Sequence, residues 1–222
     1  MSQSELLRKT HTELGGGKGI FTEQAKKLES NLASQIQDLI CVLETLYPNI
    51  GFKWKQKLSK YEISKESNYK PHSEKSGVKP DGGILYAVID GIEYPILVCE
   101  AKKQGTNDVR LGEGKTKQAK GNAIERAFKN FEEFRIYFED YSYFPYVIFA
   151  SGCDFEEGSS INDRLDAMTR YKARNVDYLF DPKQLATIYI QEKPFTVGEI
   201  FDRIKGVSVK IIEHIINDKT KR

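Results

Sequence analysis

Cysteine is scarce in this chain and histidine no commoner. Cys41, Cys99 and Cys153 stand far apart with no CxxC pair, and His11, His72 and His214 are equally dispersed. That spacing excludes a disulfide framework and a zinc site as organising devices, and Cys99 and Cys153, beside apolar strand-like runs, read as small buried hydrophobes. No run of about eighteen apolar residues occurs, so no membrane span is encoded. The start MSQSELLRKTHTELGGGKG lacks the apolar stretch of an export signal. A cytoplasmic protein without a membrane partner is the expectation. A strong charge imbalance is missing too: the formal net charge is +2, far from the clustered basic excess that marks a nucleic-acid footprint.

The distribution of charge says more than its sum. Lys53 to Lys79 holds eight Lys against three Glu, and Lys102 to Lys129 eight basic residues against three acidic, whereas Phe131 to Asp166 is strongly acidic. Charge this segregated is either a solvated face or a polyanion surface, and charge alone does not choose between them. With 222 residues, 39% of them hydrophobic, the chain reads as one domain, residues 1–222, with a glycine-rich, mobile start over residues 1–20.

Periodicity places the elements. Thr22 can cap a helix whose apolar stripe runs Leu28, Leu32, Ile36, Leu39, Leu43 and Leu46 before Pro48. Phe52 to Pro80 is polar, basic and poorly periodic. Ile84 to Ile89 and Tyr94 to Cys99 are β-rich runs joined by Asp90-Gly91, which predicts an antiparallel hairpin. A Gly- and Lys-rich stretch, Gly105 to Gly121, precedes a helical pattern of Ile124, Phe128, Phe131, Phe134 and Phe138, most simply core packing. Tyr146 to Ala150 and Thr187 to Ile190 read as buried strands separated by a helix containing Leu165 and Met168. Thr196 with Glu199 forms a capping box for a later helix, followed by Val207 to Ile216. Strands interleaved with helices predict an α/β domain, a mixed sheet covered on both faces.

The chemistry concentrates around the hairpin. Asp81 enters the first strand and Glu100 lies at the far end of its antiparallel neighbour, so the turn brings the two carboxylates side by side. Glu100 and Lys102 are two apart on a strand and project from one face, which sets an ammonium beside the pair. A phosphodiester hydrolase needs such a set. Mg²⁺ takes hard oxygen ligands, so Asp81, Glu100, the Ala101 carbonyl and a phosphate oxygen can hold it while water remains available as nucleophile. Lys102 can orient that water or help deprotonate it. The plain alternative is a turn-capping Asp81 and an exposed Glu100–Lys102 ion pair. Against it, Glu100 follows Ile96-Leu97-Val98-Cys99, a run apolar enough to be interior, where burial disfavours charge without a purpose.

Three blocks then carry a likeness. Lys79-Pro80-Asp81-Gly82-Gly83-Ile84 and Glu100-Ala101-Lys102-Lys103-Gln104-Gly105 resemble the two catalytic segments of the EcoRI family of type II restriction endonucleases, within the PD-(D/E)XK nuclease group. Gly121-Asn122-Ala123-Ile124-Glu125-Arg126 resembles its recognition-helix signature, and a looser likeness runs from Lys79 to Asn175. The resemblance implies a restriction endonuclease-like fold, a mixed five-stranded sheet flanked by helices. It implies Mg²⁺ on the residues matching Asp81 and Glu100, and Lys102 assisting the attacking water. Asn122 and Arg126 would read the central adenines, in keeping with the ability of an Asn amide to bridge adenine N6 and N7. Ala123 and Gln104 would contact neighbouring base edges, and Glu125 would position Arg126. Ala119 and Arg164 complete the DNA-facing set, with Lys75, Lys79, Lys115 and Lys117 on phosphates. The implied partners are double-stranded DNA, a second copy of the chain in a homodimer, and a cognate DNA methyltransferase in the host.

Two departures bear on the site that would be cut. Where the family prototype has a second arginine shortly after the one matching Arg164, this chain has Ala167, with Arg170 one helical turn further on. The stretch from Gln104 to Gly121 is also shorter. The central AATT is therefore expected to be read strictly and the outer pair loosely, giving RAATTY or AATT rather than strict GAATTC, with 5′ AATT overhangs. The rival readings are a repair or junction nuclease with the same catalytic residues, a non-catalytic DNA-binding module, and a structural protein with a charged surface.

Overall fold

The computed structural model describes residues 32, 34–64, 70–73, 76–103, 122–152, 155, 160–191 and 193–220. The glycine-rich start, the Thr22 cap and the whole Gln104 to Gly121 segment lie outside the described residues. The elements are α1 (residues 34–46), β1 (Gly51–Lys55), β2 (Leu58–Ser59), α2 (Lys60–Ser64), β3 (Gly77–Val78), β4 (Ile84–Ile89) and β5 (Ile92–Lys103). They continue with α3 (Asn122–Tyr137), β6 (Tyr146–Ser151), α4 (Ser160–Met168), β7 (Thr187–Gln191) and α5 (Val197–Thr220). Five strands form one mixed sheet in the order β1-β4-β5-β6-β7, and β2 pairs with β3 separately. The α/β class and the five-stranded mixed sheet flanked by helices are as the sequence implied.

The β4–β5 hairpin turns at Asp90-Gly91, both at positive φ, 53° and 78°. That is the twist-matching turn this dipeptide favours. Its register pairs Ile89 with Ile92 and Ile84 with Val98, with an irregularity between Leu85 and Tyr86 where Ile96 is the extra residue. β5 does not stop at Cys99. Its second half gains β6 as a parallel partner, Val98 opposite Tyr146 through Lys103 opposite Ser151, so Glu100 and Lys102 lie inside a paired strand.

Alternation along the strands sorts the two faces. Tyr146 shares the face of Glu100, under α3. Cys99, Phe149 and Tyr189 look the other way, where Leu32 lies close to Cys99 and the Arg203 guanidinium of α5 sits 4.6 Å from the Tyr189 ring centre. Ile124, Ala127, Phe131 and Phe134 of α3 pack into the core, which also takes Ile200, Ile204, Val207 and Ile211 of α5. The capping box forms: Glu199 accepts the Thr196 amide at 2.7 Å, and Thr196 Oγ1 accepts the Glu199 amide at 3.2 Å. Two amides at the helix start are thereby satisfied reciprocally. The helix it opens runs unbroken through Val207–Ile216.

Three expectations change. Leu46 is 50% exposed: it is the last residue of α1, and Tyr47 and Ile50 take the core contact beyond it. Phe128 is 36% exposed because Ala127 occupies the sheet-facing position, leaving the Phe128 ring tilted against Phe131 at 6.1 Å. The basic stretch after Phe52 contains an edge strand, β1, whose Lys53 and Lys55 both pair with Glu93 on β5.

Candidate active site

Asp81 is set by a turn rather than by a strand. Gly83 N–H donates to the Pro80 carbonyl at 3.0 Å, closing Pro80–Gly83, and Gly82 N–H donates to the Cys99 carbonyl at 2.9 Å. Gly83 has φ +72°, and a Cβ there would stand 2.7 Å from the Lys55 carbonyl oxygen and closer still to Trp54 Nε1. The Trp54 N–H is itself engaged, donating to the Gly82 carbonyl at 2.9 Å. Only glycine fits that approach. The Asp81 carboxylate then accepts the Ala101 amide on Oδ2 at 3.0 Å, fastening the turn to the end of β5.

Lys102 bridges the two acids. Its Nζ donates to Asp81 Oδ2 at 2.6 Å and to Glu100 Oε2 at 2.7 Å, with Glu100 fully buried and Lys102 and Asp81 largely so. Two oxygens held by one ammonium are within reach of one cation. The remaining oxygen of Glu100, Oε1, accepts the Asn130 amide from α3 at 2.5 Å and lies 3.4 Å from the Tyr146 hydroxyl, which is also 3.3 Å from the Ala127 carbonyl.

Burial pushes the Glu100 carboxyl up to about 7; Lys102 opposes that rise and the Asp81 charge adds to it. Both are ordinary effects of desolvation and of neighbouring charge. Burial alone would lower Lys102, but Glu100 and Asp81 outweigh it and hold the ammonium above its ordinary value. Two acids against one ammonium leave the pocket short of positive charge. Among the described residues no group of three or more His, Cys, Asp and Glu side chains gathers to hold a metal. Two hard carboxylates without a third side-chain ligand suit Mg²⁺, which keeps waters and completes its shell from a substrate phosphate, better than Ca²⁺ or Zn²⁺.

The rest of the implied DNA-facing set is partly visible. Asn122 and Ala123 open α3, of which only the backbone is described there; Glu125 and Arg126 are exposed one turn on. Glu125 pairs with Arg164 of α4 at 2.6 Å, joining the two helices that carry this set. Lys79 is exposed beside the Asp81 turn, while Lys75, Gln104, Lys115, Lys117 and Ala119 lie outside the described residues. Ala167 is half-buried, and Arg170, just past α4, is exposed at φ 49°. Sequence reading missed Asn130 and Tyr146. The available signal was polarity out of place: Asn130 sits within the stripe Ala127, Phe131, Phe134, and Tyr146 brings a hydroxyl to the head of the apolar run Val147 to Ala150.

Comparison with known proteins gives two kinds of match. The profile of the family described as Restriction endonuclease EcoRI matches residues 14–180, starting well before the segments that carried the likeness. The chain is 30% identical to "Type II restriction enzyme RsrI" of Cereibacter sphaeroides, over 93% of this chain and 91% of that protein. It is also 30% identical to "Type II restriction enzyme EcoRI" of Escherichia coli, over 75% of this chain and 72% of that protein.

Proposed function

The chain belongs to the EcoRI family of type II restriction endonucleases, whose members cut double-stranded DNA, and we propose that it acts as a Mg²⁺-dependent homodimer on an AATT-centred palindrome. The observation that carries the catalytic part is the convergence of Asp81 and Glu100 on Lys102 at the end of β5. Asp81, Glu100 and the Ala101 carbonyl are the groups that would hold Mg²⁺. When bound, the ion supplies Lewis-acid withdrawal of charge from the phosphate.

The side chains do the remainder. The Lys102 ammonium, released from the two acids, orients the attacking water and offsets charge developing on the phosphate oxygens. Water adds to phosphorus as the bond to the leaving sugar oxygen breaks; the attacking water gives up one proton to solvent, and the leaving oxygen takes one from solvent. Asn122 and Arg126 read the central adenines, Ala123, Gln104 and Ala119 approach neighbouring bases, and Glu125 with Arg164 braces the reading helix. Lys75, Lys79, Lys115 and Lys117 offset the negative potential along the DNA backbone. One recognition helix reads half a palindrome, so two chains, each acting as one domain, meet on a site, and a cognate methyltransferase protects the host.

The relaxed outer pair follows from Ala167. An arginine bidentate to guanine supplies about 1–3 kcal/mol of discrimination, and its loss admits either purine. Digesting a plasmid library with randomised flanks around AATT in Mg²⁺, then sequencing the ends, tests this. RAATTY or AATT sites with 5′ AATT overhangs are expected. Cutting confined to GAATTC overturns the relaxed outer pair, and ends without AATT overturn the assignment of Asn122 and Arg126.

A further inference from the structure

The two oxygens of Glu100 have different surroundings. Oε2 faces Lys102 at 2.7 Å, while Oε1 faces neutral donors, the Asn130 amide at 2.5 Å and the Tyr146 hydroxyl at 3.4 Å. We propose that Asn130 is a positioning residue for the metal site: its amide pins Oε1, so that Glu100 turns Oε2 toward the cation. This rests on the reading of Asp81 and Glu100 as the Mg²⁺ carboxylates.

A carboxylate on a two-torsion stem inside a strand has one free rotation left at its end, and an ion gains most when that rotation is already stopped. Lys102 cannot stop it, since it binds the same oxygen that the ion takes. Asn130 can, because it holds the other oxygen, carries no charge to repel a cation, and can stay in place whether the ion is present or not. Tyr146 contributes less: it has one hydroxyl proton, shared between Glu100 and the Ala127 carbonyl over long distances. The helix brings Asn130 there for a stated reason. Ala127, one turn earlier, is small and fully buried, which lets the backbone of α3 approach the sheet closely enough for a short side chain at position 130 to reach Glu100.

Titrating Mn²⁺ into the full chain bound to an AATT duplex, with free ion read by electron paramagnetic resonance, tests the assignment. Asn130→Ala removes the donor from a buried carboxylate, a loss that better helix propensity only partly offsets, so circular dichroism first establishes that each variant is folded; Asn130→Leu keeps the branched shape and shuts out a substituting water. Losing an outer partner of a metal ligand weakens binding by about 10–100-fold. Both variants should therefore raise the Mn²⁺ Kd by about tenfold or more. Their metal-free DNA affinity should stay within about twofold of the unsubstituted chain, and raising Mg²⁺ should restore most of the maximal cleavage rate, a split that general loosening of the helix would not produce. If Asn130→Ala binds Mn²⁺ within about twofold of the unsubstituted chain while Glu100→Ala loses it, Asn130 has no positioning role. If Glu100→Ala also leaves Mn²⁺ affinity unchanged, the metal assignment itself falls, and this inference with it.

Discussion

Replacing Lys102 by methionine keeps the unbranched stem, one atom shorter, and deletes its charge. The ammonium makes two charge-assisted hydrogen bonds, 2.6 and 2.7 Å, in a place where Glu100 has no solvent to turn to. Removing one partner of a buried ionic group costs about 3–5 kcal/mol, because the stranded charge remains. Burial already holds Glu100 up at about 7. Part of that cost is therefore escaped by taking up a proton, which points to the lower end, about 3 kcal/mol. In a domain of this size each kcal/mol moves Tm by roughly 2–4 °C, so Lys102→Met should melt roughly 6–12 °C below the unsubstituted chain in EDTA. A divalent cation should return some of this. At a hundredfold excess over Kd a ligand adds about 2.7 kcal/mol, and Mg²⁺ should raise the Tm of the variant by more than it raises that of the unsubstituted chain, where Lys102 competes for the same oxygens. Thermal melts followed by circular dichroism, with EDTA or excess Mg²⁺, measure both. Equal melting temperatures in EDTA would refute the idea that Lys102 neutralises a buried pair, and an equal Mg²⁺ response would refute competition. Cleavage should be lost in either buffer.

Other perturbations separate fold from site. Gly83→Ala places a Cβ against the Trp54 ring nitrogen at φ +72°. It should cost roughly 1–3 kcal/mol in urea denaturation and depress cleavage by displacing the Asp81 turn; an unchanged midpoint would count against that turn. Arg164→Ala breaks a largely exposed pair with Glu125. Stability should change by less than about 1 kcal/mol while cognate DNA binding weakens; equal loss on scrambled DNA would mean a backbone role only. Asp177 carries the pH prediction. Burial works to raise it, but hydrogen bonds from Lys210 and the Tyr189 hydroxyl outweigh burial and hold it below its ordinary 3.8. A depressed carboxyl adds stability above the unfolded value and loses it as pH falls through the folded one. Asp177→Asn should therefore lower Tm at neutral pH, and the gap to the unsubstituted chain should close as pH falls from the ordinary carboxylate range through the lowered folded value; a constant gap would contradict the assignment.

The clustering of Asp81, Glu100 and Lys102 was legible because its signals are local. Asp90-Gly91 specifies its own turn, alternation puts Glu100 and Lys102 on one face, and an acid after four apolar residues stands out whatever lies elsewhere. The length of β5 was not legible, since its last residues are strand only because β6, far along the chain, lies parallel to them. Periodicity also overstated the stripe of α3. Phe128 has the right spacing from Ile124, but Ala127 faces the sheet, and close approach of the helix rewards the smaller side chain. β1 was hidden because its alternation, Phe52-Lys53-Trp54-Lys55, is only four residues long and runs straight into a lysine-rich stretch without a turn signal.

Asn130 was out of place in its stripe, but its partner was not legible, for a related reason. A buried acid must be matched by donors, so Glu100 in an apolar run implies partners, and the sequence supplies Lys102 from the same strand. It does not say that one cation leaves an oxygen unaccounted for, nor which of the polar residues on α3 meets it. Once the helix is docked the count closes: the cation side takes Oε2, and Oε1 is satisfied by a residue whose neutrality is required, because an ammonium there would occupy the pocket permanently and a second carboxylate would repel the first. An isolated asparagine on the sheet-facing flank of a helix, opposite an acid at the end of a central strand, is thus the pattern to seek in sequences that share this hairpin.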